Sequence, residues 1–288
     1  MVPKLNIYNA EPISEILKKK GTTDRQLSRA ELSDSYKFAF NDREFLTRPE
    51  TLGIRFQLEL LKPELALRDH SIQHTIVVFG SARCMCEESA QQKMDDAQTD
   101  IEKNKAEFDL KNSRQYESAR QFGQLVADYN LKQGINEHKL RICTGGGPGI
   151  MEAANRGAWE RGDLTIGLNI SLPHEQNPNP YITPELCFRF HYFAIRKMHF
   201  MLRARAIVAY PGGFGSFDEL FEVLTLIQTK KIEALPIILV DRKFWEEVIR
   251  FDRLIEYGLI DAADLDLIKF VETPQEAWKY ISDWYQLV

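Results

Sequence analysis

Two glycine-rich segments of the sequence each join a predicted strand to the start of a predicted helix. They are Gly145-Gly146-Gly147-Pro148-Gly149 and Pro211-Gly212-Gly213-Phe214-Gly215. Glycine at such a turn lets backbone N–H groups approach an anion, and the helix dipole adds about half a positive charge there. Either turn alone could serve only to reverse the chain. Two of them at the same edge of one sheet favour a phosphate-bearing ligand.

The second turn is followed by side chains that could do chemistry. Gly215 and Ser216 would offer N–H groups and a hydroxyl to a phosphate, and Glu219 lies one helical turn further on the same face. The preceding predicted helix carries Arg196 and Lys197. A carboxylate beside an arginine in a phosphate cleft can cleave a glycosidic bond, because the carboxylate stabilises a sugar cation or activates water. Taken singly, Arg196 could form a structural ion pair and Glu219 could be an acid favoured by the helix dipole.

The spacing of the glycines excludes two common nucleotide-binding motifs. A GxGxxG frame begun at Gly145 reaches Ile150 at its third glycine position, and one begun at Gly213 reaches Asp218. The sequence contains no Gly-Lys pair, so a phosphate-binding P-loop is excluded as well. An ordinary dehydrogenase and a nucleoside triphosphatase are therefore not expected, and the predicted ligand is a monophosphate.

The elements that position these residues are strands alternating with helices from residue 74 onward. Such alternation predicts right-handed crossovers and an α/β fold, a doubly wound, mainly parallel, Rossmann-like sheet. In such a sheet the ligand lies beyond the carboxyl ends of the strands. Both glycine-rich segments fall there, and so does a third glycine turn, Gly80-Ser81, directly after the first predicted strand. The predicted strands are 75–79, 140–144, 165–170, 186–190, 206–210, 236–240 and 268–271.

The predicted domain organisation is an N-terminal helical extension over residues 1–70 and a nucleotide-binding catalytic domain over residues 71–288. The extension contains no strand-like run, and one of its helices is expected to end before Pro63. A polar segment at about 87–114 has no glycine or proline and predicts an inserted helix or helical hairpin. A single helix is expected over 244–257.

Composition narrows the class of protein further. The 37 Lys+Arg and 42 Asp+Glu of the 288 residues give a net charge of −5, which argues against a nucleic-acid partner. The longest apolar runs have the length of buried strands, so no membrane span is expected. Four cysteines without metal-site or disulfide-framework spacing predict a cytoplasmic protein with free thiols and no metal site.

The paired motifs resemble those of the LONELY GUY (LOG) family, whose members are often mislabelled lysine decarboxylases. Residues 144–153 resemble the family's GGGxGxMxx segment, and Arg196-Lys197 followed by residues 211–219 looks like its RK…PGGxGTxxE signature. The resemblance covers about residues 74–285, and residues 167–191 look like the longer bacterial branch. It implies phosphoribohydrolysis, in which an AMP-like or cytokinin-type nucleoside 5′-monophosphate and water give free base and ribose 5-phosphate.

Carried onto this sequence, the resemblance implies that Glu219 is the catalytic carboxylate and Arg196 its partner. It implies no cofactor, and it implies a homo-oligomer, either a dimer or a multiple of dimers. Ser216 stands where the family usually has threonine, which keeps the hydroxyl. The insertion at 87–114 could narrow or cover the cleft. The expected substrate- and phosphate-binding residues are Gly80, Ser81, Gly145, Gly146, Gly147, Gly149, Met151, Glu152, Lys197, Gly212, Gly213, Gly215 and Ser216.

Other functions remain open on the sequence. The same fold also serves as a non-catalytic carrier of molybdenum cofactor, a phosphate-bearing pterin, and a nucleotide-sensing protein is a third reading. Retention of both Arg196 and Glu219 favours the enzyme. Lysine decarboxylation is not supported, because neither glycine motif contains a lysine for a Schiff base, and Lys197 is better suited to the anion site or a salt bridge.

Overall fold

The computed structural model describes residues 28–134, 139–172 and 177–287, so the first 27 residues of the predicted extension lie outside the described part. The described chain contains a seven-stranded sheet in which every neighbouring pair of strands is parallel. The α/β, doubly wound fold predicted from the sequence is confirmed. The strands are β1 (His74–Phe79), β2 (Leu140–Thr144), β3 (Thr165–Ile170), β4 (Cys187–Phe190), β5 (Ala204–Ala209), β6 (Ile237–Val240) and β7 (Ile268–Val271).

Helices connect the strands and cover both faces of the sheet. Short 3-10 helices occupy Asp34–Tyr36, Ala39–Asn41, Pro49–Thr51, Pro184–Leu186 and Ala262–Leu267. The α-helices are α1 (Arg43–Thr47), α2 (Leu52–Asp69), α3 (Glu87–Asp96), α4 (Asp100–Lys132), α5 (Ile150–Glu160), α6 (Phe193–Leu202), α7 (Phe214–Gln228), α8 (Arg242–Val248), α9 (Phe251–Glu256) and α10 (Pro274–Tyr285).

The strand order, β4-β3-β2-β1-β5-β6-β7, reverses direction between β1 and β5. The connections leaving these two strands diverge to opposite sides, which opens a crevice at their carboxyl ends. Gly80 follows β1 directly, and Pro211 comes two residues after the end of β5. The strand order therefore places two of the predicted glycine turns at the crevice.

The core consists of two apolar clusters, one on each face of the sheet. Along β1, Ile76 and Val78 belong to one cluster while Val77 and Phe79 belong to the other, as the two-residue repeat of a strand requires. All four side chains are buried, as in other parallel sheets covered by helices on both faces. The first cluster includes side chains of α4, α5 and α10, and the second includes side chains of α6, α7 and α8.

The described chain divides into two compact units, the first ending at Arg55 and the second beginning at Phe56. In the first unit, the Arg55 guanidinium donates from Nη1 to the carbonyl oxygens of Leu46 (2.9 Å) and Arg48 (2.7 Å). These bonds satisfy carbonyls at the carboxyl end of α1, where helical partners are missing.

The helix expected to end before Pro63 instead continues through it to Asp69, so that prediction is wrong. Proline lacks the N–H that would bond to the carbonyl of Glu59 four residues earlier. A histidine of α6 contacts the helix next to this position, because His199 Nε2 donates to the carbonyl of Leu60 at 3.1 Å. Arg203 also holds Glu64 through two bonds of 2.6 Å. Residues 56–69 belong to the second compact unit. The domain boundary at residue 70 stays a prediction.

The polar segment at 87–114 forms a helical hairpin, as predicted, but it is not separate from the helix that follows. Helix α4 is a single helix of 33 residues, begun by a capping box between Thr99 and Glu102. The hairpin is thus an extension of the crossover helix between β1 and β2. The single helix expected over 244–257 is also corrected, because extended backbone at Ile249 separates α8 from α9.

The three glycine turns are hydrogen-bonded to one another. Ser81 is the central residue, since its N–H donates to Pro211 O (3.0 Å) and its carbonyl accepts from Ile150 N (3.0 Å). Gly149 has a φ of +75°, and a Cβ there would lie 2.2 Å from the Ser81 carbonyl oxygen. Gly149 is therefore required both by its own backbone conformation and by the close approach of another turn.

We expect Gly149→Ala to reduce the free energy of unfolding more than Gly162→Ala does. Gly162 has a similar φ of +76°, but open space surrounds its Cβ position. The Gly162 variant should therefore cost about 1–2 kcal/mol from backbone strain alone. The Gly149 variant should cost more than about 3 kcal/mol, since it adds a clash with main-chain atoms. Urea unfolding of both variants measures the difference, and equal losses would contradict the interlocked-turn description.

Candidate active site

A cavity of about 700 Å³ lies at the crevice between the ends of β1 and β5. Turns following three strands contribute to it, together with the first residues of α7 and side chains from α4, α6 and α8. Most residues expected from the sequence meet here. The predicted residues that line it are Gly80, Ser81, Gly145, Met151, Arg196, Gly212, Gly213, Gly215, Ser216 and Glu219.

The amino end of α7 faces this cavity without a side-chain cap. Its N-cap residue is Gly213, and the first helical bond to that residue's carbonyl comes from Phe217 N at 3.1 Å. The N–H groups of residues 214–216 therefore have no partner within the helix. Nothing lies within 4 Å of the Cβ position of Gly215, so the backbone here is open to a ligand. These unpaired donors and the helix dipole make the end of α7 an anion-binding position.

Gly212 packs closely against the serine of this helix. A Cβ at Gly212 would lie 2.1 Å from Ser216 Oγ, and the Ser216 side chain is buried. The position of the Ser216 hydroxyl at the wall of the cavity thus depends on a glycine four residues earlier.

Glu219 is a buried carboxylic acid at the cavity wall. Its residue is only 7% exposed, and Oε1 lies 3.3 Å from Arg196 Nη1. Burial raises the pKa of Glu219 from its ordinary 4.5 to about 7, although the positive charges of Arg196 and Lys197 act in the opposite direction. A carboxyl group with a pKa near neutrality can exchange a proton with water or substrate at physiological pH.

Arg196 is held in place by three further contacts. Its Nε donates to the Leu168 carbonyl at 2.7 Å, and its Cζ lies 5.0 Å from the centre of the Phe200 ring. Its Nη2 is 2.5 Å from the Cβ position of Gly145, so any larger residue there would displace the guanidinium. Burial lowers the pKa of Arg196, while the charge of Glu219 raises it. These contacts hold the guanidinium in one position beside the Glu219 carboxyl group.

Several predicted residues do not line the cavity, and their polar groups have other partners. The Gly146 and Gly147 carbonyls accept from Asn179, at 2.9 and 3.1 Å, and Gly149 packs against the turn after β1. Glu152 Oε1 accepts from the Tyr116 hydroxyl at 2.8 Å.

Lys197 pairs with Asp218 (2.7 Å) and Glu222 (3.1 Å), which is the salt-bridge alternative considered for it. Hydrogen bonds to the two acids raise its pKa, although burial, the larger single effect, lowers it.

The cavity also includes residues that the sequence motifs did not indicate. Arg83 is an exposed cation in the loop after β1, with its N–H bonded to Ser81 Oγ at 3.1 Å. Phe214 is 95% exposed at the first position of α7. Helix α4 contributes a set at positions i, i+4 and i+7, a spacing that could have been read from the sequence as one helical face. These α4 residues are Phe108, Asn112 and Gln115.

Within residues 28–134, 139–172 and 177–287, no three His, Cys, Asp or Glu residues are grouped so that they could hold a metal ion. The four cysteines are free thiols. None of the helices in these same ranges is long and apolar enough to cross a membrane.

The buried acid should carry a stability cost that depends on pH. Because the native pKa of Glu219 lies above the unfolded value, the native state binds more protons between about pH 4.5 and 7. Stability from this group is therefore present at low pH and is lost as pH rises through 7. Glu219→Gln should unfold with wild-type free energy at pH 5 and gain about 3 kcal/mol at most over wild type at pH 8.

Urea unfolding at the two pH values measures this difference. Glu247→Gln is the matched control, since Glu247 is exposed on α8. An advantage of Glu219→Gln that is the same at both pH values would contradict a raised pKa.

A comparison with known protein families matches the segment that contains Arg196 and Glu219. The model of a family described as "possible lysine decarboxylase" matches residues 151–281. A probable cytokinin riboside 5′-monophosphate phosphoribohydrolase, LOG4 of Oryza sativa subsp. japonica, is 28% identical over 52% of this chain and 66% of its own length. A pyrimidine/purine nucleotide 5′-monophosphate nucleosidase of Escherichia coli K12 is 31% identical over 46% of this chain and 29% of its own length.

The match thus covers less than two thirds of either curated relative. Among solved structures, the X-ray structure of TM1055 is 17% identical, with a TM-score of 0.45, over 73% of this chain and 99% of that one. The family and curated matches confirm the resemblance predicted from the two glycine motifs, and the chain is similar to members of the LOG family.

Proposed function

We propose that this protein is a nucleoside 5′-monophosphate phosphoribohydrolase, which uses water to cleave the N-glycosidic bond and releases free base and ribose 5-phosphate. The observation that carries the proposal is the buried Glu219 carboxyl, 3.3 Å from Arg196, in the same cavity as the uncapped amino end of α7. The names of the two curated relatives, a probable cytokinin riboside 5′-monophosphate phosphoribohydrolase and a pyrimidine/purine nucleotide 5′-monophosphate nucleosidase, support it.

The phosphate of the substrate would bind at the start of α7. The N–H groups of residues 214–216 and the Ser216 hydroxyl supply neutral donors there. Arg196 is already engaged by Glu219 and the Leu168 carbonyl, so it is poorly placed to neutralise a dianion. Arg83, exposed at the same cavity, is the cation better suited to that task.

The sugar carbon would then lie near Glu219. Cleavage transfers the bonding electron pair of the N-glycosidic bond to the base, and the positive charge that develops on the ribose is stabilised by a carboxylate. Ionised Glu219 would also take a proton from the attacking water, whose oxygen forms the new bond to C1′. The proton would then pass to the nitrogen of the departing base, so that the base leaves neutral and Glu219 is ionised again. Both roles need the ionised form, which burial disfavours and Arg196 supports.

We also propose that a second copy of the chain covers an apolar surface on α6 and α7. The residues of this α6–α7 face are exposed although they are large and apolar, which is typical of an interface. They are Phe193, Met198, Leu202, Phe214 and Phe221. The proposed assembly is a homodimer or a multiple of dimers, and a cytoplasmic location stays a prediction.

Light scattering on the purified protein tests the assembly. We expect an integral multiple of 33.4 kDa, with an even number of copies, and partial or complete dissociation in Leu202→Glu. Ile101→Glu is the control, because Ile101 is also apolar and exposed but lies on α4. A wild-type mass of 33.4 kDa at micromolar concentration would contradict the proposal.

Base release from AMP, GMP, CMP and isopentenyladenosine monophosphate, followed by chromatography, tests the activity. We expect wild type to release base and ribose 5-phosphate, and Glu219→Gln to lose about 10²–10⁴-fold in kcat, as removal of a general acid–base group does. Glu247→Gln should keep wild-type rates. In wild type, kcat/KM should rise with pH through about 7, because the ionised carboxylate is the active form.

Failure of this experiment would favour the alternative class of function. No turnover of any monophosphate, together with tight binding of a nucleotide or of molybdenum cofactor, would indicate a non-catalytic carrier. Equal rates in wild type and Glu219→Gln would remove Glu219 from the mechanism.

A further inference from the structure

The hairpin of α3 and α4 brings side chains into the cavity that the two glycine motifs do not include. Phe108, Asn112 and Gln115 lie on one face of α4, and all three line the cavity beside Arg83 and the start of α7. Further along the same helix, Tyr116, Ala119 and Phe122 are buried in the core. The helix therefore lines the cavity with residues of its first half and packs in the core with residues further along.

Phe108 has the properties of a stacking residue. It is 64% exposed, so it does not belong to either apolar cluster. Its immediate neighbours in the sequence, Glu107 and Asp109, are charged. An exposed ring on the wall of a cavity can stack on a nucleobase, whichever base that is.

Gln115 is held in one orientation by a hydrogen bond. Its side-chain nitrogen donates to Asp241 Oδ2 at 2.8 Å. Asp241 is itself fixed, because its other carboxylate oxygen accepts from Phe244 N at 3.1 Å and its own N–H donates to Val271 O at 2.9 Å. The amide nitrogen of Gln115 is thus committed to Asp241, and its carbonyl Oε1 remains as the acceptor for a ligand.

The conformation of Asp241 supports a specific role for this contact. Asp241 has a φ of +70°, in the left-handed region, at the carboxyl end of β6. Aspartate tolerates this region better than most residues, yet the position still carries some strain. The strained residue joins the hairpin to the sheet edge next to the cavity.

We propose that Phe108, Asn112 and Gln115 form the nucleobase subsite, and that it selects a purine with an exocyclic 6-amino group beside a ring-nitrogen acceptor, as in adenine. Gln115 Oε1 would accept from the amine and the Asn112 amide would donate to the ring nitrogen. Hypoxanthine presents an oxygen and a ring N–H on that edge, so the positions of its hydrogen-bond donor and acceptor are exchanged relative to adenine. Asp241 acts as a positioning residue, and the proposal rests on the phosphoribohydrolase function proposed above.

The decisive variant is Asp241→Asn. Asparagine keeps an oxygen for the Phe244 N–H and tolerates a positive φ, but it replaces the second oxygen by an amide nitrogen. That nitrogen would donate to Gln115 Oε1 and turn the Gln115 amide over, so that an N–H faces the ligand. A residue with only a structural role would not change which base is preferred.

The experiment compares kcat/KM for AMP and IMP. We expect wild type to prefer AMP by about 10-fold or more, and Asp241→Asn to reduce this ratio by about 10-fold or invert it. Gln115→Leu should lower the ratio, whereas Phe108→Ala should lower kcat/KM about 10-fold for both substrates and leave the ratio unchanged. Inhibition by ribose 5-phosphate, which lacks a base, should be the same in every variant.

Two exposed residues of the same helix give matched controls, Ile101→Ala for the aromatic change and Asn104→Leu for the amide changes. Neither residue lines the cavity, so neither variant should alter the kcat/KM values or their ratio. An AMP-to-IMP ratio that stays unchanged in both Asp241→Asn and Gln115→Leu would overturn the subsite.

Calorimetric binding of AMP and IMP to the Glu219→Gln protein separates this inference from the hydrolase proposal. If wild type releases no base but AMP still binds more tightly than IMP, and Asp241→Asn removes the difference, the hydrolase proposal fails and the subsite stands. If wild type hydrolyses AMP and IMP equally, or if neither nucleotide binds, the subsite is overturned.

Discussion

The structure of the site depends on keeping an acid buried next to a single guanidinium. Burial raises the pKa of Glu219 to about 7, and Arg196 limits that rise. Arg196 can do so only because the Leu168 carbonyl, the Phe200 ring and the space left by Gly145 hold it in one orientation. The position of the pair therefore depends on several kinds of element, since the residues that form and hold it lie on helices, on a strand and in a glycine turn. A buried carboxyl of this kind lowers stability at neutral pH, which is a recognised feature of functional sites.

The three glycine turns around this pair have different roles, and their sequences do not show this difference. The turn after β2 is mostly structural, because Asn179 binds the carbonyls of Gly146 and Gly147. The turn before α7 stays open, with uncapped N–H groups facing the cavity. Ser81 joins the two through its backbone, so the strand order that brings β1 between β2 and β5 is what makes one site out of separate motifs.

The hairpin adds a part that the LOG-like motifs do not contain. The long helix α4 is anchored in the core by its second half, and its first half extends beyond the sheet to the cavity. A rigid helix supported in this way can hold side chains at a ligand more precisely than a loop can. The contact between Gln115 and Asp241 fixes the helix to the end of β6, at the edge where ligands bind in this class of sheet.

The sequence by itself determined the alternation of strands and helices, all seven strands to within a few residues, and the pair Arg196 and Glu219 as residues of one site. These features follow from local patterns: short β-branched runs, glycines at strand ends and helical spacing. Tertiary structure decided what depends on neighbours distant in the chain. Helix α2 continues through Pro63, and this part of the helix is held by contacts from α6 and the residue after it, His199 with the Leu60 carbonyl and Arg203 with Glu64. Likewise, Phe108 and Gln115 line the cavity because the helix that begins at residue 100 reaches the end of β6. A local sequence pattern does not predict this contact, because Gln115 and Asp241 are far apart in the chain.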